Sequence, residues 1–199
     1  MQSTTKGLQG EEYTGQELNF LMRDKAYVFH DIPYKYGNID HIVLAPACIY
    51  VVETKAFSKK QKEAGSESRE AKVVYDGIKL SFTNFESTKP LEQAKTAAKY
   101  LHDRIKKDCG FEFPVVPVVS LPGWYVDNQA RNPTVIVMNP KRGSYLRKCI
   151  QSDTQHPKFG LVAPYIDILA RSVNLQNKIT DATGGSHFNI LGKRKDKAA

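Results

Sequence analysis

The most informative hydrophobic pattern in the chain lies between Asn38 and Lys55. Two β-branched, apolar runs flank Ala45-Pro46-Ala47-Cys48, which predicts two strands joined by a short turn. With the turn centred on Pro46-Ala47, Ile42, Leu44, Ile49 and Val51 share one face, and Val43, Tyr50 and Val52 share the other. Strands apolar on both faces are covered on both faces. The same register sets Asp40 directly opposite Glu53, with Cβ atoms about 4.5–5.5 Å apart. Lys55, two residues beyond Glu53, projects from the same face.

On either side the period changes. Residues 1–6 look frayed, and a helical pattern over Leu8 to Asp24 carries Leu18, Leu21 and Met22 as an apolar stripe. Glu11 falls on that face with Gly15, and the two glycines Gly10 and Gly15 suit a close approach of helix to sheet. Ala26 to Ile32 predicts a first strand. Ala56 to Arg69 has no apolar period and reads as a mobile loop. Val73 to Tyr75 and Ile78 to Phe82, with Asp76-Gly77 between them, predict a second hairpin on a two-residue turn, an ornament beside the main sheet. A helix opened by Pro90 runs to Lys106, with Leu91, Ala94, Ala97, Ala98, Leu101 and Ile105 as its core stripe. Val115 to Leu121 reads as a strand that Pro117 assigns to an edge or irregular position. Trp124 and Tyr125 follow in a turn. Val135 to Met138 is a last strand, then a helix ends near Ile150, and a final one spans Pro164 to Leu175. This order predicts one α/β domain over residues 1–180, a sandwich with a mixed central sheet. Residues 181–199 read as a basic tail expected to be flexible.

Charge changes the reading at the open end of the first hairpin. Two carboxylates side by side in a partly dry place repel, so one takes a proton or both share a cation. Oxygen ligands of this kind suit a hard ion such as Mg²⁺. Spacing leaves a plainer alternative open, in which Asp40 marks a strand end and Glu53 and Lys55 make a surface ion pair. His41 faces away from Asp40 by strand alternation, which suits packing or support behind the acids rather than metal ligation.

Several segments together resemble a known family. Gly7-Leu8-Gln9-Gly10-Glu11 with Leu18 is similar to the opening G-x-x-G-E helix of the nuclease-related domain, NERD. Ile39-Asp40-His41, Val52-Glu53-Thr54-Lys55 and Pro90-Leu91-Glu92-Gln93 are similar to its later motifs, with Lys89 standing where the family has Asn. NERD belongs to the PD-(D/E)XK nuclease superfamily, and the resemblance covers roughly residues 6–125. It implies a restriction-endonuclease-like three-layer sandwich and a Mg²⁺- or Mn²⁺-dependent nuclease, with DNA the favoured substrate. Asp40, Glu53, Lys55, Glu11 and Gln93 become the expected catalytic set. Asp40, Glu53, Glu11 and the Thr54 main-chain carbonyl become the expected metal ligands. The competing expectation is a nucleic-acid-binding module that keeps the fold without turnover.

Composition agrees in outline. The 41% hydrophobic and 25% charged fractions are those of a globular chain. A formal charge of +8 favours an anionic partner. Lys59, Lys60, Lys141 and Arg142 are the candidate phosphate contacts, and Arg147 and Lys148 extend the second pair. The three cysteines Cys48, Cys109 and Cys149 are widely spaced and odd in number, which predicts reduced thiols and a cytoplasmic location. No signal-peptide core or bilayer-length apolar run is present, so no membrane partner is expected. A homo-oligomer is left open.

Overall fold

A computed structural model describes residues 2–58, 71–152 and 154–182. Lys59, Lys60 and the tail beyond residue 182 lie outside the described residues, as does the side chain of Arg142. The elements are α1 (Gln2–Asn19), a 3₁₀ turn (Phe20–Asp24), β1 (Tyr27–Tyr34), β2 (Gly37–Leu44), β3 (Ile49–Thr54), β4 (Lys72–Tyr75), β5 (Leu80–Ser81) and β6 (Glu86–Ser87). They are followed by α2 (Lys89–Cys109), β7 (Val115–Ser120), β8 (Tyr125–Asn128), β9 (Ile136–Met138), α3 (Ser144–Ser152) and α4 (Phe159–Ala182).

The main sheet has the order β1-β2-β3-β7-β9. β1, β2 and β3 form an antiparallel meander, and β7 and β9 add parallel to β3. All six residues of β3 are buried, and alternation splits them between two cores. Ile49 and Val51 join Ile42 and Leu44 under Ala97, Ala98, Leu101 and Ile105 of α2 and Val162 and Ile166 of α4. Tyr50 and Val52 join Val43 under Leu18 of α1 and Leu146 and Ile150 of α3. The result is a three-layer sandwich, helices on both faces of a mixed sheet.

Four expectations are corrected. The α-helix begins at Gln2 and ends at Asn19; the chain then tightens into the 3₁₀ turn, which leaves Met22 exposed rather than on the apolar stripe. The second hairpin has a four-residue connection, because the Asp76 carboxylate accepts from the Ile78 and Lys79 amides at 2.8 Å each and closes an Asx turn. That hairpin is no ornament: β4 also pairs parallel with β8, a strand not read from the sequence, in a second sheet of order β6-β5-β4-β8. Its apolar side packs Tyr75, Leu80 and Phe82 against Leu91 of α2, Val119 of β7 and Trp124. Finally, β7 is an interior strand despite Pro117. β9 starts pairing only at Val118, so at Pro117 no ladder bond to β9 is forfeited.

Candidate active site

The antiparallel ladder of β2 and β3 pairs His41 with Val52, and one step further the same register sets Asp40 opposite Glu53, as the spacing predicts. The Thr54 amide donates to Asp40 Oδ2 at 2.7 Å. Lys55 Nζ donates to Glu53 Oε1 at 2.5 Å. Glu53 is 7% exposed and the Lys55 side chain 31% exposed, so the ion pair stands at the boundary between core and solvent. Between His30↔His41 and Ile32↔Ile39 the β1–β2 ladder skips Asp31, whose φ of 53° is left-handed. Aspartate tolerates this region better than most residues. The distortion falls directly across from Asp40.

Electrostatics bind the acids into one group. Burial, then the charge of Glu53, pushes the Asp40 carboxyl up to about 7, with Glu11 adding to the rise and the Thr54 amide and Lys55 opposing it. Glu11 is also raised, by burial first and then by Asp31 and Glu53, against the pull of Lys55. Asp31, not singled out in the sequence, thus belongs to the surroundings of the site; a lone acid inside a strand carries no spacing signal.

Glycine brings α1 to this position. A Cβ on Gly10 would stand 2.6 Å from the Ala56 Cβ, so only glycine lets the helix lie against the chain just past Lys55 and hold Glu11 there. Deeper along α1, Gly15 faces His30 and His41, whose Nδ1 atoms are 2.8 Å apart. His41 is buried behind the acids, and burial together with His30 pushes it down to about 3. The His41 ring is therefore neutral at physiological pH. Thr14 and Ser120, both fully buried, join α1 to β7 through their hydroxyls at 3.0 Å.

Beside the ion pair a cleft of about 260 Å³ is lined by Lys55, Phe57, Ser87, Lys89, Pro90 and Gln93. Gln93, spaced far from the acids in sequence, therefore shares a wall with Lys55, and its Oε1 is buried without a hydrogen-bond partner. Phe57 went unnoticed within a segment read as loop; the two-residue step Glu53, Lys55, Phe57 was the available signal. Lys141 does not line this cleft; it follows the end of β9, two strands from β3. Arg147 is committed elsewhere, donating to Asp24 at 2.8 Å.

Among the described residues, no three His, Cys, Asp or Glu side chains form a group able to hold a metal ion. The pair Asp40 and Glu53 nonetheless suits a hard cation, since both donors are carboxylate oxygens and Asp40 is raised by burial and by the facing Glu53 charge, which a cation would offset.

The model of the family "NERD: Nuclease-related domain" matches residues 6–122. The chain belongs to this family. The matched span runs from α1 through β7 and contains every member of the acid, lysine and glutamine group, whereas β8, β9, α3 and α4 lie beyond it. No curated protein and no solved structure matches. This NERD chain has the mixed α/β architecture of a nuclease-like sandwich, and among its described residues no helix is long and apolar enough to cross a membrane.

Proposed function

We propose that this NERD protein is a divalent-metal-dependent nuclease that hydrolyses phosphodiester bonds, with DNA as its substrate. The observation that carries this reading is the juxtaposition at the end of β3: Asp40 opposite Glu53, Lys55 on Glu53, and an open cleft alongside. Asp40 and Glu53 would hold Mg²⁺ or Mn²⁺, with the Thr54 carbonyl as a further oxygen and Glu11 close enough to orient a ligand water. When bound, such an ion neutralises phosphate charge and lowers the pKa of a coordinated water.

The remaining work falls to the protein. The Thr54 amide ties down one oxygen of Asp40, so the acid is positioned before substrate arrives. Lys55 gives up its hydrogen bond to Glu53 in favour of a non-bridging phosphate oxygen as negative charge grows there. Gln93, with an unpartnered oxygen in the same cleft, accepts a hydrogen bond from the attacking water and points it at phosphorus.

One observation favours a second reading, a nucleic-acid-binding module without turnover: Lys55 already satisfies the Glu53 charge that a metal would need. End-labelled single- and double-stranded DNA and RNA, incubated with Mg²⁺, Mn²⁺ or EDTA, separates the two. The nuclease reading expects cleavage that needs the metal and disappears in Asp40→Asn. Salt-sensitive binding with no cleavage under any metal would establish the module instead.

A further inference from the structure

We propose that the cleft beside Lys55 is a seat for one unstacked nucleobase, with Phe57 as its stacking platform, so that the preferred ligand is single-stranded or frayed nucleic acid. The proposal deepens the nuclease reading, and rests on it for the class of ligand. Phe57 and Pro90 give the cleft its apolar lining, Lys55 and Lys89 its cations, and Ser87 and Gln93 its hydrogen-bonding groups. This mixture suits a ligand with a flat apolar face, a polar edge and an attached anion. A nucleotide has all three.

The geometry of the aromatic rings supports the role of Phe57. Phe82 and Phe85 stack on each other at 4.4 Å with planes 13° apart, and so satisfy one another. Phe57 meets them at 62° and 60°, so neither of them lies parallel to its ring. Its main chain is braced by Trp124, whose indole N–H donates to the Phe57 carbonyl at 3.4 Å. Trp124 is in turn packed edge-on against Phe82 at 4.8 Å. Phe57 is thus braced by Trp124 and the phenylalanine pair and lines the cleft. Opposite polarity is supplied by the Ser87 hydroxyl in the cleft lining, suited to a polar group on the edge of a base, which leaves Gln93 Oε1 to the attacking water.

Size selects the state of the nucleic acid. A volume of about 260 Å³ is below the roughly 300–1,000 Å³ of pockets that enclose a drug-sized molecule. It is on the scale of a single nucleobase. Within a continuous duplex both faces of every base are already stacked, so a base reaches Phe57 only from a single strand, a frayed end or an extruded position.

Binding measured in EDTA tests this without cleavage. A labelled single strand of about 12 nucleotides, a typical footprint, is titrated with wild type, Phe57→Ala, Phe57→Leu and Phe57→Tyr. Covalently closed circular duplex serves as the competitor without ends. Trp124 is the sole tryptophan, and its contact with Phe57 makes its emission a local reporter. Loss of the stacking face is expected to weaken single-strand binding about tenfold in Phe57→Ala, with duplex affinity unchanged and Phe57→Tyr retaining wild-type behaviour. Phe57→Leu keeps apolar volume without a π face, so it carries the test if the alanine variant melts early. Equal losses on both ligands, or no loss in Phe57→Leu, would overturn the proposal. A protein that cleaves nothing with metal yet shows the Phe57-dependent preference retains the base seat and loses the nuclease; metal-dependent cleavage with binding indifferent to Phe57 does the reverse.

Discussion

Asp24 and Asp40 are both half-buried aspartates placed beside basic side chains, and their surroundings drive them in opposite directions. Asp24 accepts from Arg147 at 2.8 Å and from Gln151 at 3.0 Å, and these donors hold its carboxyl below the usual range. Asp40 accepts one amide hydrogen, while burial and a facing carboxylate raise it to about 7. The first is a tie between the 3₁₀ turn and α3. The second is a charge kept short of partners, which costs stability and leaves an oxygen free for chemistry. Stability stored in one place and withheld in another is the pattern expected where a fold supports a reactive site.

Exchanging the two aspartates' circumstances gives the sharpest tests. The largest effect is expected from Asp40→Asn, which keeps the acceptor for the Thr54 amide but removes a carboxylate: metal-dependent cleavage should fall by about 10³-fold or more, read by end-labelled DNA. The same substitution should raise the melting temperature at pH 8, where the ionised acid is unfavourable.

The pH profile of stability comes next. Because the folded value for Asp40, about 7, lies above its free value of 3.8, the protonated form favours the fold. Its contribution is complete below pH 4 and is lost as pH rises through 7, a decline on the order of 2–4 kcal/mol. Chemical denaturation from pH 4 to 8 should show this decline in wild type and a flatter curve in Asp40→Asn. Asp24 should behave oppositely, contributing above its free value of 3.8 and losing that contribution as pH falls through the lowered folded value. Asp24→Ala should cost about 1–2 kcal/mol at pH 7 and leave cleavage intact.

Smaller effects test the supports. Gly10→Ala places a methyl 2.6 Å from Ala56, so α1 must shift, at about 1–3 kcal/mol; cleavage should fall with the displacement of Glu11. Thr54→Val replaces a buried hydroxyl that lacks a partner and should be neutral or stabilising by about 1 kcal/mol. If the carbonyl of Thr54 is what matters, the metal dependence of cleavage will not change. A thermal melt and a metal titration read both results.

Local pattern was enough for the β2–β3 hairpin, because two apolar runs flank a short connection and centring the turn on Pro46-Ala47 sets the register. That register alone brings Asp40 and Glu53 together, and the step of two carries Lys55 with them. Helix α2 was equally plain, since every residue of its stripe is buried, Leu91 and Ala94 under the second sheet and the other four under the main one. Other features had no local signature. β8 is short and half polar, and becomes a strand only because β4 offers it an edge. Pro117 argues against an interior strand until the late start of β9 is known.

The pairing of the acids therefore follows from chain-neighbour geometry, which a periodic strand and a short turn transmit without help. The raised Asp40, the meeting of Gln93 with Lys55 and the bracing of Phe57 by Trp124 arise between segments far apart in the chain. Burial, desolvation and ring packing have no value until those segments meet, so the folded protein alone sets them.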